Sequence, residues 1–176
     1  MNYAQYVDFW RTVAGKHIEI RHTPTEKHFV RVVLTNDPIL SATAQLGEFL
    51  TGMRSKLLMP AMVLVAYTSN YGDEDGDAVS KDLAGRIIIL DDPAKADYDD
   101  EEQILFNTER IGEECLAYAK NYFDENPEAG FFEFRGGGTD MLANIGGRQL
   151  YGTGLDFTMH ISHHPGLIYK PDQFTV

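Results

Sequence analysis

Asp99 to Glu125 reads DDEEQILFNTERIGEECLAYAKNYFDE, the longest periodic stretch in the chain. Asp99 suits an N-cap, with Glu102 three residues on to complete a capping box. Ile104, Ile111, Cys115, Tyr118 and Tyr122 recur at helical spacing, and Leu105, Leu116 and Phe123 widen the stripe. Acidic residues crowd the first turn, where the helix dipole favours them. Asn126-Pro127 stops the helix, because a residue before proline avoids the α region. So long an amphipathic helix needs a surface to cover. The rest of the chain must supply it.

Much of that surface reads as strands. Phe29 to Leu34 (FVRVVL) is rich in β-branched residues. Ala61 to Tyr67 and Leu83 to Leu90 are apolar on both faces and read as central strands, joined by a polar, acidic loop from Ser69 to Lys81. Leu150 to Ser162 alternates most clearly: Leu155, Phe157, Met159 and Ile161 share one face, and Asp156, Thr158, His160 and Ser162 the other. Phe131 to Phe134 starts another strand, and Gly146-Gly147 signals a hairpin turn. His17 to His22 (HIEIRH) alternates over a short extended segment.

Two shorter helices complete the set. Asn2 to Ala14 carries Tyr3, Tyr6, Val7, Trp10 and Val13 at helical spacing and is expected to end at Gly15. Asp37-Pro38 is a helix-start signal, followed by Leu46, Phe49, Leu50, Met53 and Leu57. Gly47 and Gly52 each weaken that helix by about 1 kcal/mol relative to alanine, and Pro60 ends it. The expected fold is α+β: an antiparallel or mixed sheet with helices packed on one face and one long hairpin with an acidic tip. Residues 1–164 form a single domain in this reading, and 165–176 an extended C-terminal arm.

Composition narrows the function. At 176 residues with 43% hydrophobic content, the chain can bury a sizeable core. A formal net charge of −12 opposes a phosphate-driven grip on nucleic acid. The single cysteine excludes an intramolecular disulfide and suits a reducing compartment. MNYAQYVDFWRT has neither a basic n-region nor an apolar h-region, so no signal peptide is expected. No apolar run approaches a membrane span.

The chemistry-bearing residues do not form a recognisable catalytic or cofactor motif. Asp73, Asp75 and Asp77, with Asp82 at the edge, offer oxygens to a hard cation, but the spacing fails the EF-hand pattern, which favours a solvated hairpin tip. His160, His163 and His164 cluster in sequence, yet neither a cysteine nor a carboxylate near them in the chain completes a zinc set, so surface histidines are expected. Arg135-Gly136-Gly137-Gly138-Thr139 lacks the phosphate-loop pattern and reads as a bulge or turn. Cys115 lies on the apolar stripe after Glu113 and Glu114, where a structural thiol is expected rather than a nucleophile.

In order along the chain stand MNYAQYVDFWRTVAGKH with IEIRH, then MPAMVLVAY, an acidic loop and LAGRIIILDDP, then TERIGEECLAYAK and a closing QLYGTGLDFTMHIS. Together they resemble a phage tail-completion or tail-terminator protein, of the kind carried by phages of Bacteroidetes-like bacteria. The resemblance implies a compact, non-enzymatic virion subunit without a cofactor. It would assemble with itself as a ring, commonly a hexamer, contacting tail-tube and neck or connector proteins. DNA would pass through that ring without being gripped. HHPGLIYKPDQFTV falls outside the resemblance. The residues expected to make contacts are Asp73, Asp75 and Asp77 at the hairpin tip and His163, Tyr169 and Phe174 in the arm. A small cytoplasmic acidic binding or regulatory module is the alternative, and an enzyme using the histidine-rich tail a third reading.

Overall fold

The structure is a computed structural model that describes residues 1–34, 41–53, 56–74, 78–93, 98–134, 138–145 and 150–161, with backbone only at 73–74 and 78–79. The fold is α+β, as expected. Six strands of the described residues form one mixed sheet, and three helices pack against it.

Helix α1 (Tyr3–Lys16) starts at a complete capping box: Asn2 Oδ1 accepts from the Gln5 N–H, and Gln5 Oε1 accepts from the Asn2 N–H. Gly15 does not end it. The helix runs to Lys16, and extended backbone at His17 closes it, with the His17 N–H donating to the Val13 carbonyl. The extended segment expected over HIEIRH is instead a turn. The Arg21 N–H donates to the His17 carbonyl, and the His22 N–H to the Ala14 carbonyl. Its alternation survives as burial, since Ile20 is fully buried and Ile18 is 71% exposed. Two apolar positions cannot distinguish a strand from a turn that points alternate residues in and out.

Strand β1 (Phe29–Val32) stops short of Leu34, and β2 (Ala61–Glu74) pairs with it in parallel. Parallel neighbours need a crossover, and α2 (Ala42–Gly52) lies on that connection. Asp37 and Pro38 lie outside the described residues. The helix is capped later than expected, at Ser41, whose Oγ accepts from the Ala44 N–H. Leu57 lies beyond the helix but is buried with its Leu46 and Leu50.

Strand β3 (Ala78–Asp91) pairs antiparallel with β2 as a hairpin, as expected, but the hairpin is strand almost to its tip. Most of the loop expected over 69–81 is ladder: Ser69 faces Leu83, Tyr71 faces Lys81 and Glu74 faces Ala78. Backbone pairing does not require apolar side chains. Asp75 and Asp77 lie outside the described residues. Strand β6 (Leu150–Ile161) pairs with β3 on one side. Its other side carries β4 (Phe131–Glu133) and β5 (Thr139–Ile145) end to end. Gly146-Gly147 lies outside the described residues, but the Ile145–Leu150 pairing on either side makes β5 and β6 a hairpin.

Helix α3 (Tyr98–Glu125) is the long helix expected. It begins one residue before Asp99, which therefore lies in the first turn with Asp100 and Glu101 rather than capping it. Its buried stripe runs through Ile104, Thr108, Ile111, Gly112, Cys115, Leu116, Ala119 and Phe123. At 3.6 residues per turn the stripe drifts, so Ala119 and Phe123 face the core while Tyr122 is 37% exposed. Gly112 sets how closely the helix sits: a Cβ there would lie 2.3 Å from Leu155 Cδ1. This close approach brings Thr108 Oγ1 within 3.0 Å of Thr153 Oγ1 on β6, a buried hydrogen bond between helix and sheet.

The sheet's two faces differ. Met62, Leu64, Leu83, Ile87, Ile89, Phe157 and Met159 point towards α1 and α3 and meet Tyr6, Trp10, Ile111 and Phe123. Trp10 and Phe157 have ring centroids 4.7 Å apart, and Phe132 stacks on Phe157 at 5.4 Å. Val30, Val63, Ile88, Leu90 and Leu150 point the other way and pack with Leu46 and Leu50 of α2. The helices therefore divide between faces instead of all packing on one. The parallel crossover carries α2 to the side that α1 and α3 leave open.

Candidate functional site

The second face is apolar only where α2 covers it. Farther along β3 and β6 the outward positions turn polar: Asp82 and Arg86 on β3, and Asp156, Thr158 and His160 on β6. Strand β4 adds Phe131 opposite His160 and Glu133 opposite Thr158. The alternation Leu155 to Ile161 therefore works as read, with one side in the core and the other on a sheet surface that no helix among the described residues covers.

His160 is the centre of this surface. Its Nδ1 lies 2.7 Å from Asp82 Oδ1, and its Nε2 lies 3.2 Å from Glu133 Oε2. Phe131, half exposed, stacks on the imidazole at 4.1 Å with the rings 14° apart. Strands β3, β6 and β4 are thereby tied through one ring. Next to it, Arg86 pairs with Asp140 of β5 and places Nε 3.4 Å from Asp156 Oδ1. Gly154 makes room for that guanidinium, because a Cβ there would lie 2.8 Å from Arg86 Nε. The surface holds four carboxylates against one arginine and one histidine, and so repels phosphate.

Two carboxylates that no local sequence pattern links to His160 flank its ring. Asp82 and Glu133 lie 78 and 27 residues away in the chain, and only the strand register brings them in. As ligands the two acids sit on opposite ring nitrogens. Among the described residues, no group of three or more His, Cys, Asp or Glu side chains is placed to hold a metal ion.

Of the expected contact residues, Asp73 has its backbone paired with Val79 near the end of the hairpin. Asp75, Asp77, His163, Tyr169 and Phe174 lie outside the described residues, as does His164. Residues 135–137 of the glycine run are also outside. Gly138 closes the run by accepting a hydrogen bond from the Asp156 N–H at 3.1 Å. Cys115 is buried as expected, and burial, aided by the charge of Glu114, pushes its thiol up to about 12. At neutral pH it is a protonated core side chain.

A second concavity, of about 620 Å³, lies between α1 and the end of α3. Phe9, Tyr118 and Tyr122 give it an aromatic lining, with Met1, Ala129 and Ile161 adding apolar surface. Lys16 Nζ donates to Tyr118 Oη at 2.7 Å, which raises the lysine pKa. Nearby, Arg110 reaches Glu19 at 2.7 Å and Glu114 at 2.9 Å, and His17 reaches Glu114 at 2.9 Å. The Arg110 hydrogen bond, then that of His17, lowers the Glu114 pKa. This network fastens the turn after α1 to α3.

The class these features define is an acidic α+β protein with a two-faced mixed sheet and one polar half-face that no helix among the described residues covers. No protein-family model matches the chain, and no curated protein matches it. None of the helices among the described residues is long and apolar enough to cross a membrane.

Proposed function

We propose that the chain is a non-enzymatic structural subunit of a phage or phage-like tail. It forms a homo-oligomeric ring, commonly a hexamer in the proteins it resembles, as a tail terminator, tail-completion protein or head–tail connector. It works in the virion after synthesis in the bacterial cytoplasm. The observation that supports this reading is the polar half-face of the sheet, which no helix among the described residues covers. There Phe131 lies half exposed on a histidine whose ring nitrogens both face carboxylates. With neither nitrogen left open to a substrate, the group suits contact and strand-tying better than proton transfer. Closed rings join unlike patches head to tail, and this surface and the projecting β2–β3 hairpin are two such patches. A net charge of −12 suits a lumen through which DNA slides without adhering. In this reading the hairpin tip around Asp73 to Asp77 faces the lumen or a neighbouring subunit.

Light scattering after size exclusion, with negative-stain imaging, tests the proposal. Closed rings of one stoichiometry are expected. A monomer at every concentration would favour the other reading, a small acidic binding or regulatory module, for which the α1–α3 groove is the observation in support. Rings with the hairpin tip on their outer rim would refute the lumen assignment.

A further inference from the structure

The sheet ends in two unlike surfaces. Among the described residues, β1 and β4 stand at opposite ends of the strand order. Towards β4 the polar half-face presents Asp82, Glu133, Asp140 and Asp156, with side chains 35–60% exposed, beside the half-exposed Phe131. At β1 lies a cavity of about 510 Å³ that wraps the sheet edge. Phe29 in its wall belongs to the core under α1 and α3, and Val30 and Met53 to the cluster under α2. Its charged wall residues are Arg11 and Lys27, with His22 beside them. In a chain of 27 acidic and 15 basic residues, none of the described lining side chains is acidic. Arg11 pairs with Asp8 and stands 5.8 Å over the Phe29 ring, while Lys27 has no carboxylate partner among the described residues. Burial lowers the His22 pKa against a hydrogen bond to the Glu26 backbone, and the charges of Arg11, His28 and Lys27 lower it further. That ring therefore sits in a positive field. One end of the sheet is negative with a projecting aromatic ring, and the other is a positive hollow with an apolar wall. Placed at opposite ends of one sheet, these surfaces can meet only between copies, head to tail.

We infer, on the basis of the ring proposed above, that the cationic pocket at β1 receives the polar half-face of a second copy of this chain, with Arg11 and Lys27 set against its carboxylates and its Phe131 against the wall of Phe29, Val30 and Met53. Copies that each carry a net charge of −12 repel one another over most approaches. Opposite signs at this one pair of surfaces select the approach that can dock and fix its register.

Sedimentation velocity on two full-length variants tests it. Arg11→Glu with Lys27→Glu reverses the pocket, and Glu133→Lys with Asp140→Lys reverses the half-face. Each variant is expected to stay monomeric where the parent assembles, with the parent's far-ultraviolet circular dichroism. The half-face variant has a smaller net negative charge than the parent, so its failure to assemble does not arise from general repulsion. Each variant keeps one intact surface, and an equal mixture of the two should give 1:1 dimers and nothing larger. Either variant assembling as the parent does, or a mixture that stays monomeric or grows beyond dimers, would overturn the inference and leave the ring standing. A parent that is monomeric at every concentration would remove the ring itself, and this contact with it. Should a reversed variant lose the parent's fold, Arg11→Gln with Lys27→Gln takes its place and is expected to weaken assembly by about tenfold. An unchanged association constant there would overturn the inference.

Discussion

The two faces of the sheet are built from the same strands but to different standards. The face under α1 and α3 is continuous and aromatic, with Tyr6 and Trp10 fully buried and Gly112 drawing α3 down onto Leu155. The face under α2 is aliphatic and stops halfway, giving way to Asp82, Arg86, Asp156 and His160. Stability therefore concentrates on one side, and the proposed contact lies on the other. Alternation along one strand makes both possible, because each residue's neighbour belongs to the opposite face.

Substitutions can break or sharpen this contrast. The largest effect is expected for Trp10→Ala, at about 3–5 kcal/mol by denaturant unfolding, because the ring is buried among Phe123, Phe132 and Phe157. Leu50→Ala, on the α2 side, is expected to cost about 2 kcal/mol, since that smaller cluster borders an open surface and can relax. Equal losses would mean that the faces share the stability evenly. Thr153→Val removes the buried bond to Thr108 and should cost about 1 kcal/mol on the same assay. Phe131→Ser, at a half-exposed site, should cost the isolated subunit under about 1 kcal/mol while weakening assembly.

The smallest effect concerns pH. The Glu114 pKa is lowered, by Arg110 first and then His17, so its contribution is complete above the ordinary carboxylate value of 4.5. It is lost as pH falls through the lowered folded-state value. Glu114→Gln should flatten that acid limb. The magnitude is about 0.3 kcal/mol, because the carboxylate is exposed and solvent screens it. A steeper acid limb in the variant would contradict the assignment.

Much of this was legible because it is local. The α3 stripe, the Asn126-Pro127 stop, the Leu155 to Ile161 alternation and the burial of Cys115 all follow from neighbours within a few turns or strand positions. The misses have physical causes. Ser69 to Lys81 looked like loop because its residues are polar, yet paired backbone needs no core beneath it. Ile18 and Ile20 mimicked a strand in a turn. The placement of α2 on the second face follows from the parallel pairing of β1 with β2, which local pattern does not encode. His160's two carboxylates come from distant strands and became visible only through the register. Of the candidate contact residues, Asp73 alone falls within the described chain, at backbone level.

The central proposal is that the polar half-face left open by the described helices is where copies of this chain meet. Sedimentation velocity on the parent protein and on Phe131→Ser with Arg86→Ser tests it most directly. The parent is expected to form one closed oligomer. The double variant should stay a folded monomer, with the parent's far-ultraviolet circular dichroism. A monomeric parent at the highest concentration reached, or a variant that assembles as the parent does, would contradict it.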